Sequence, residues 1–134
     1  MLPRSLIDSN VFLRYLTWDD PEKAERCKEL FKRLEFGTET AILSEITLAE
    51  VVWTLQKFFK LEKSSIRDIL NSILNFKGLR IQNKEVILRA LDIYANHNVD
   101  FPDAYISELS KELKAKVYSY DKDISKLGAK RTEP

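Results

Sequence analysis

Apolar residues along the chain fall into short runs and longer helical stripes. Arg4-Ser5-Leu6-Ile7-Asp8 reads as a short buried strand, and Val11, Phe12, Tyr15 and Leu16 then follow helical spacing. Asp19-Asp20-Pro21 opens a second helix, since aspartate caps and proline is tolerated in a first turn. Its stripe is Ala24, Cys27, Leu30, Phe31 and Leu34, and Gly37 ends it. Thr40-Ala41-Ile42-Leu43 is a second strand, followed by a helix on Leu48, Val51, Val52, Leu55, Phe58 and Phe59. Ser64 and Ser65 are candidate caps for a fourth helix, carried by Ile66, Ile69, Leu70, Ile73 and Leu74. Gly78 stops that helix, and Leu79-Arg80-Ile81 is a brief strand. Two more helices cover residues 84–97 and 100–114, a strand covers 116–120, a turn falls at Asp121, and the last residues add a short edge strand.

Strands separated by helices pair in parallel through right-handed crossovers. The expected fold class is therefore α/β, a sandwich with helix pairs between the strands. The chain has 134 residues, which fits one domain over residues 1–134. In open α/β sheets a ligand sits beyond the carboxyl ends of the strands, where the strand order reverses.

That rule directs attention to the acids. Asp8 ends the first strand, in Leu6-Ile7-Asp8-Ser9-Asn10, and Asp121 ends the late one, in Tyr118-Ser119-Tyr120-Asp121. Glu50 lies in the first turns of the helix after the second strand, and Asp103 in the first turn of the helix before the late strand. Each acid also has a plainer structural role. Asp8 can cap a helix, Thr47-Leu48-Ala49-Glu50 matches a capping box, Asp103 suits a helix dipole, and Asp121 suits a turn. Four acids on one rim change the picture, because two unit charges ~4 Å apart repel by about 4 kcal/mol at an effective dielectric of about 20. Such a group holds protons or binds a cation. Carboxylate oxygens suit Mg²⁺ or Mn²⁺. Cys27 and His97 are the single cysteine and histidine, so a disulfide, a cysteine-rich site or a histidine-rich zinc site cannot be built.

The ordered segments Leu6-Ile7-Asp8-Ser9-Asn10-Val11-Phe12-Leu13-Arg14, Leu48-Ala49-Glu50-Val51, Asp100-Phe101-Pro102-Asp103-Ala104 and Val117-Tyr118-Ser119-Tyr120-Asp121-Lys122-Asp123 resemble the four motifs of PIN-domain ribonucleases. They are most similar to those of the VapC toxins of toxin–antitoxin pairs. The resemblance implies a three-layer α/β/α fold whose five-stranded parallel sheet has the order 3-2-1-4-5. It implies a catalytic, metal-holding role for Asp8, Glu50, Asp103 and Asp121, with Asn10 and Ser119 as polar groups supporting the acids. Asp123 matches an acid found in only some members. Ile124 stands where the family often has an aromatic residue. The implied activity is Mg²⁺- or Mn²⁺-dependent hydrolysis of RNA phosphodiesters, leaving 5′-phosphate and 3′-hydroxyl ends. The implied partners are RNA, a VapB-type antitoxin and a second copy of the chain. An RNA-processing nuclease outside toxin–antitoxin systems and a non-catalytic RNA- or protein-binding domain are the alternatives. A haloacid-dehalogenase-like phosphatase fits less well, because Asn10 stands where its acid–base aspartate would be, and a receiver domain lacks its acceptor aspartate after Leu79-Arg80-Ile81.

Composition adds little to that reading. The chain is 44% hydrophobic and 32% charged, but its net charge is only +1, so bulk charge does not mark a nucleic-acid binder. Residues 111–134 do carry seven Lys or Arg against four Asp or Glu, and Arg14, Lys122 and Lys126 lie near the motifs. Met1-Leu2-Pro3-Arg4-Ser5 holds no apolar core of a secretion signal, and no apolar run approaches the roughly 18 residues of a membrane span. A soluble, cytoplasmic protein is expected.

Overall fold

Hydrophobic stripes and helix caps account for most of the architecture. The computed structural model describes residues 4–134, so Met1-Leu2-Pro3 lies outside the described residues. Helix α1 (Ser9–Thr17) follows Asp8. Helix α2 (Pro21–Phe36) starts at Asp20, whose carboxylate accepts the Lys23 N–H at 3.2 Å, and stops at Gly37, whose φ of 79° is the left-handed turn glycine allows. Phe31 of α2 meets Phe12 edge-on at 5.3 Å and stacks on Tyr15 at 4.3 Å, which locks α1 and α2 into a hairpin.

Strand β1 (Ala41–Ile42) leads into α3 (Glu45–Lys57) and α4 (Lys63–Leu74), then β2 (Leu79–Arg80). Helices α5 (Lys84–Asn96) and α6 (Phe101–Leu113), β3 (Val117–Tyr118), the short α7 (Asp123–Lys126) and β4 (Arg131–Thr132) complete the chain. β1 pairs in parallel with β2, with Ala41 opposite Leu79. The first segment adds one parallel bridge, Leu6 to Ile42, with the Ile7 N–H donating to the Ile42 carbonyl at 3.0 Å. β3 pairs in parallel with β4, with Val117 opposite Arg131, so the expected C-terminal edge strand forms.

In the expected five-strand order these pairings are 1-2, 2-3 and 4-5, all parallel. The 1-4 junction that would merge them into one sheet is not formed among the described residues, which hold two separate ladders. Leu6 and Tyr118, on the segments that would meet there, are 74% and 64% exposed. No buried apolar pair therefore draws those edges together.

The core lies around the β1–β2 ladder, where Leu43, Leu48, Leu55, Leu70, Leu74, Leu91 and Tyr94 are fully buried. Each such leucine is worth about 1.5–3 kcal/mol of transfer free energy. Gly78 fixes the register of this region. A Cβ there would lie 1.9 Å from the Glu39 carbonyl oxygen, while the Gly78 N–H donates to Leu34 at 2.7 Å. At the foot of α6, buried Glu108 pairs with Lys111 at 2.8 Å and with Arg89 of α5 at 3.8 Å.

Two caps differ from the sequence reading. In α4 the N-cap position is Glu62, whose side chain makes no cap bond, and Ser64 and Ser65 fall inside the first turn. α3 is capped by Ser44, whose hydroxyl accepts the Thr47 N–H at 3.1 Å. Glu50 is therefore not the glutamate of a capping box. Phe58, assigned above to the apolar stripe of α3, ends that helix 74% exposed.

Candidate active site

The acids take their places from the strand and helix ends that carry them. Ile7 is buried and hydrogen-bonded to β1, so the chain delivers Asp8 to the carboxyl edge of that ladder. Asp8 is the N-cap of α1 in position, but its side chain makes no cap bond, and it is exposed. Its carboxylate is thus left open. Glu50 is exposed on α3, between buried Leu48 and Val51, with its backbone fixed by helix and its side chain in water.

Asp103 occupies the first turn of α6, where Pro102 removes an N–H that would otherwise want a partner. The preceding Asp100 caps the helix in position and likewise makes no side-chain cap bond. Burial pushes the Asp103 carboxyl above its ordinary range, and the negative charges of Asp121, Asp100 and Asp123 push it further. The three neighbouring acids, at the start of α6 and in the loop after β3, act electrostatically on Asp103. Asp8 and Glu50 do not contribute to the shift.

The Asp121 loop is held by its own short polar side chains. The Asp121 N–H donates to the Ser119 hydroxyl at 3.0 Å, and Asp121 Oδ1 accepts the Asp123 N–H at 2.9 Å. Asp121 is thus the turn residue its sequence context allowed, and Ser119 supports it directly. Arg131 of β4 braces the loop, donating to the Ser119 carbonyl at 2.8 Å and the Ser125 hydroxyl at 3.3 Å. Asn10 is exposed in the first turn of α1, two residues after Asp8.

On sequence alone Asp100 stands only as the start of a motif, and Arg131 has no role. The signal for Asp100 was present in Asp100-Phe101-Pro102-Asp103, where two acids three residues apart flank one helix start. Arg131 had no such signal, because its contacts depend on β4 returning beside β3. The basic residues singled out near the motifs are partly occupied. Arg14 lies 3.6 Å from Asp20 and 3.9 Å from Asp19, and Lys126 pairs with Asp123 at 3.2 Å. Lys111, Lys114 and Lys130 gather around a cavity of about 350 Å³ at the far end of α6 from Asp103. His97 ends a helix in solvent, with Nδ1 3.1 Å from the Ile93 carbonyl.

The donor set contains only oxygen ligands, which fits a hard divalent cation. The raised Asp103 marks a place where positive charge would be stabilising. Among the described residues no three Asp, Glu, His or Cys side chains stand close enough to hold an ion together. Asp103, at the start of α6, interacts electrostatically with Asp121, while Asp8 is exposed at the N-cap position of α1 and Glu50 is exposed on α3.

A PIN-domain profile matches residues 5–130, a span that takes in every acid described above. A VapC ribonuclease from Aquifex aeolicus (strain VF5) is 28% identical over 130 residues, covering 96% of both chains. The ordered motifs, the parallel ladders with acids at their carboxyl edges, and a family match over nearly the whole length agree, and the chain belongs to the PIN-domain family, whose fold is three-layered α/β/α.

Proposed function

We propose that this protein is a divalent-metal-dependent endoribonuclease and the toxin of a toxin–antitoxin pair. The observation that carries the reading is the PIN-domain match over residues 5–130, with the acids of its motifs at strand and helix ends and Asp103, in the first turn of α6, pushed above its ordinary range by burial and by Asp121, Asp100 and Asp123. Full-length similarity to a VapC ribonuclease supports RNA as the substrate.

In this reading Asp8, Asp103 and Asp121 would hold Mg²⁺ or Mn²⁺, with Glu50 reaching it through water. When bound, the ion supplies an acidified water and charge compensation at the scissile phosphate. The chain's own residues supply the remaining functions. Glu50, exposed and free of any cap bond, takes a proton from the attacking water. Ser119 and Arg131 keep the Asp121 loop from shifting as negative charge from the phosphate approaches. Asn10, exposed two residues after Asp8, would offer a neutral polar group near that acid. Asp123, paired with Lys126, adjusts the field on Asp103.

The partner reading rests on exposed apolar surface. Ile46, Trp53 and Ile106 are 75%, 62% and 44% exposed, and Ile46 and Ile106 border a largely apolar groove of about 280 Å³ between α3 and α6. Such a surface favours burial against a second copy and against an apolar antitoxin segment.

The deciding experiment is cleavage of a defined RNA panel with Mg²⁺, Mn²⁺ or EDTA, run beside Asp8→Asn. Cleavage with either metal, lost in EDTA and in a folded Asp8→Asn, is the expected result. Full activity in that variant removes Asp8 from the site. RNA binding without cleavage under any metal condition would favour a non-catalytic binding domain. Growth arrest on expression, relieved by a neighbouring small protein with a basic DNA-binding segment, separates a toxin from an RNA-processing nuclease.

A further inference from the structure

Lys63, the first residue of α4, spends its side chain on a distant loop. Its ammonium donates to the Val99 carbonyl at 2.6 Å and to the His97 carbonyl at 3.1 Å, across 36 and 34 residues of sequence. It also lies 4.5 Å over the ring of Tyr94, a buried α5 residue whose hydroxyl donates to Gln56 of α3 at 2.8 Å. Tyr94 in turn meets Phe101, the first residue of α6, edge-on at 6.2 Å. One side chain therefore ties α4, and through Tyr94 also α3 and α5, to the segment that becomes the N-terminus of α6.

The carbonyls it grips belong to the residues just before Asp100. An ammonium is a point donor that can satisfy two carbonyls and a ring face together, which a neutral side chain of that length cannot. The grip also carries a cost that a surface lysine would not incur, because burial lowers the Lys63 pKa while Asp100 raises it. A loop between two helices could be fastened by apolar packing alone. Placing a charge there makes sense where the next turn of chain collects negative charge.

We propose that Lys63 is a positioning residue of the acidic site: by holding the His97 and Val99 carbonyls it fixes the start of α6, and with it the placement of Asp100 and Asp103. The inference rests on reading Asp103 as a metal-holding acid and adds a residue that does not touch the metal or RNA. Groups that orient metal ligands from behind typically cost about 10–100-fold in metal affinity or activity when removed.

The test uses the full-length protein with Lys63→Met, Lys63→Gln and Lys63→Arg. Three properties are read below the melting temperature: amide hydrogen exchange at residues 104–107, beginning with the Ala104 N–H bonded to the Asp100 carbonyl, Mn²⁺ affinity by calorimetry, and steady-state kinetics (kcat and KM) on a cleaved RNA. Lys63→Met should speed exchange at residues 104–107, weaken Mn²⁺ by about tenfold or more, and lower kcat by a similar factor. KM should stay within about threefold, since no RNA contact is removed. Lys63→Arg, which keeps the charge and donors, should recover most of both losses. If Lys63→Met does not stay folded, Lys63→Gln carries the same comparison with donors retained and charge removed. A lower melting temperature with unchanged Mn²⁺ affinity and kcat would make Lys63 a plain fastener and overturn the proposal. Asp103→Asn run alongside separates the two ideas. Unchanged Mn²⁺ affinity in that variant removes the acid reading, whereas unchanged exchange at residues 104–107 in Lys63→Met removes the positioning role.

Discussion

The Ser44 hydroxyl accepts the Thr47 backbone N–H at 3.1 Å, and this bond leaves Glu50 free. A capping box starting at Thr47 would have turned Glu50 back onto its own helix. With Ser44 as the cap, α3 starts three residues earlier and Glu50 points to solvent from its second turn. Ser44→Ala should therefore lower stability by about 0.5–2 kcal/mol. Because the bond holds the helix start and not the acid, cleavage well below the melting temperature should persist. Chemical denaturation and a cleavage assay on the same sample check both statements.

Asp103 gives a pH signature that needs no substrate. Burial first, then Asp121, Asp100 and Asp123, raise its carboxyl above the ordinary 3.8. A raised carboxyl binds its proton more tightly folded than unfolded. Its contribution to stability is full below the unfolded pKa and is lost as pH rises through the folded value. At pH 7 the charged Asp103 therefore opposes folding. Asp103→Asn should melt higher than the parent at pH 7, and the gap should close near pH 3. Added Mn²⁺ should raise the melting temperature of the parent more than that of the variant. An Asp103→Asn protein that melts lower at pH 7 would contradict the electrostatic argument.

Gly78 is required by close backbone approach. A Cβ placed 1.9 Å from the Glu39 carbonyl cannot be absorbed by a side-chain movement. The same residue accepts the Ala41 N–H at 2.9 Å, so any shift also disturbs the entry to β1. Gly78→Ala should cost about 1–3 kcal/mol or more, by the usual scale of overpacking. Equilibrium urea unfolding reads this directly, and a variant as stable as the parent would refute it.

Trp53 tests the association reading. It is 62% exposed on α3, while Val51, Val52 and Leu55 of that helix are buried. Trp53→Glu should leave the circular dichroism spectrum unchanged and shift the protein toward monomer in light scattering. An unchanged mass would place any self-association elsewhere on the surface.

The sequence by itself determined the helices, the α/β class and the candidate acids. Helical stripes such as Ala24, Phe31 and Leu34 are local patterns, and each of these residues is buried in the fold. The Asp20–Pro21 start and the Gly37 stop depend on neighbours a few residues away, so they too were legible. Motif order along the chain carried the family, because acids at strand and helix ends keep their sequence positions whatever their side chains do. Tertiary structure alone decided which strands meet and which acids sense each other. Among the described residues the 4-5 pairing forms and the 1-4 junction does not, a question of long-range contact between short strand segments that no local pattern encodes. Only the fold sets Asp121 and Asp123 against Asp103, returns Arg131 to the Ser119 carbonyl, and carries Lys63 across 36 residues to Val99. Hydrophobic periodicity specifies which face of an element turns inward. The charge pairs that build a site arise between elements, and they exist only once the chain has closed.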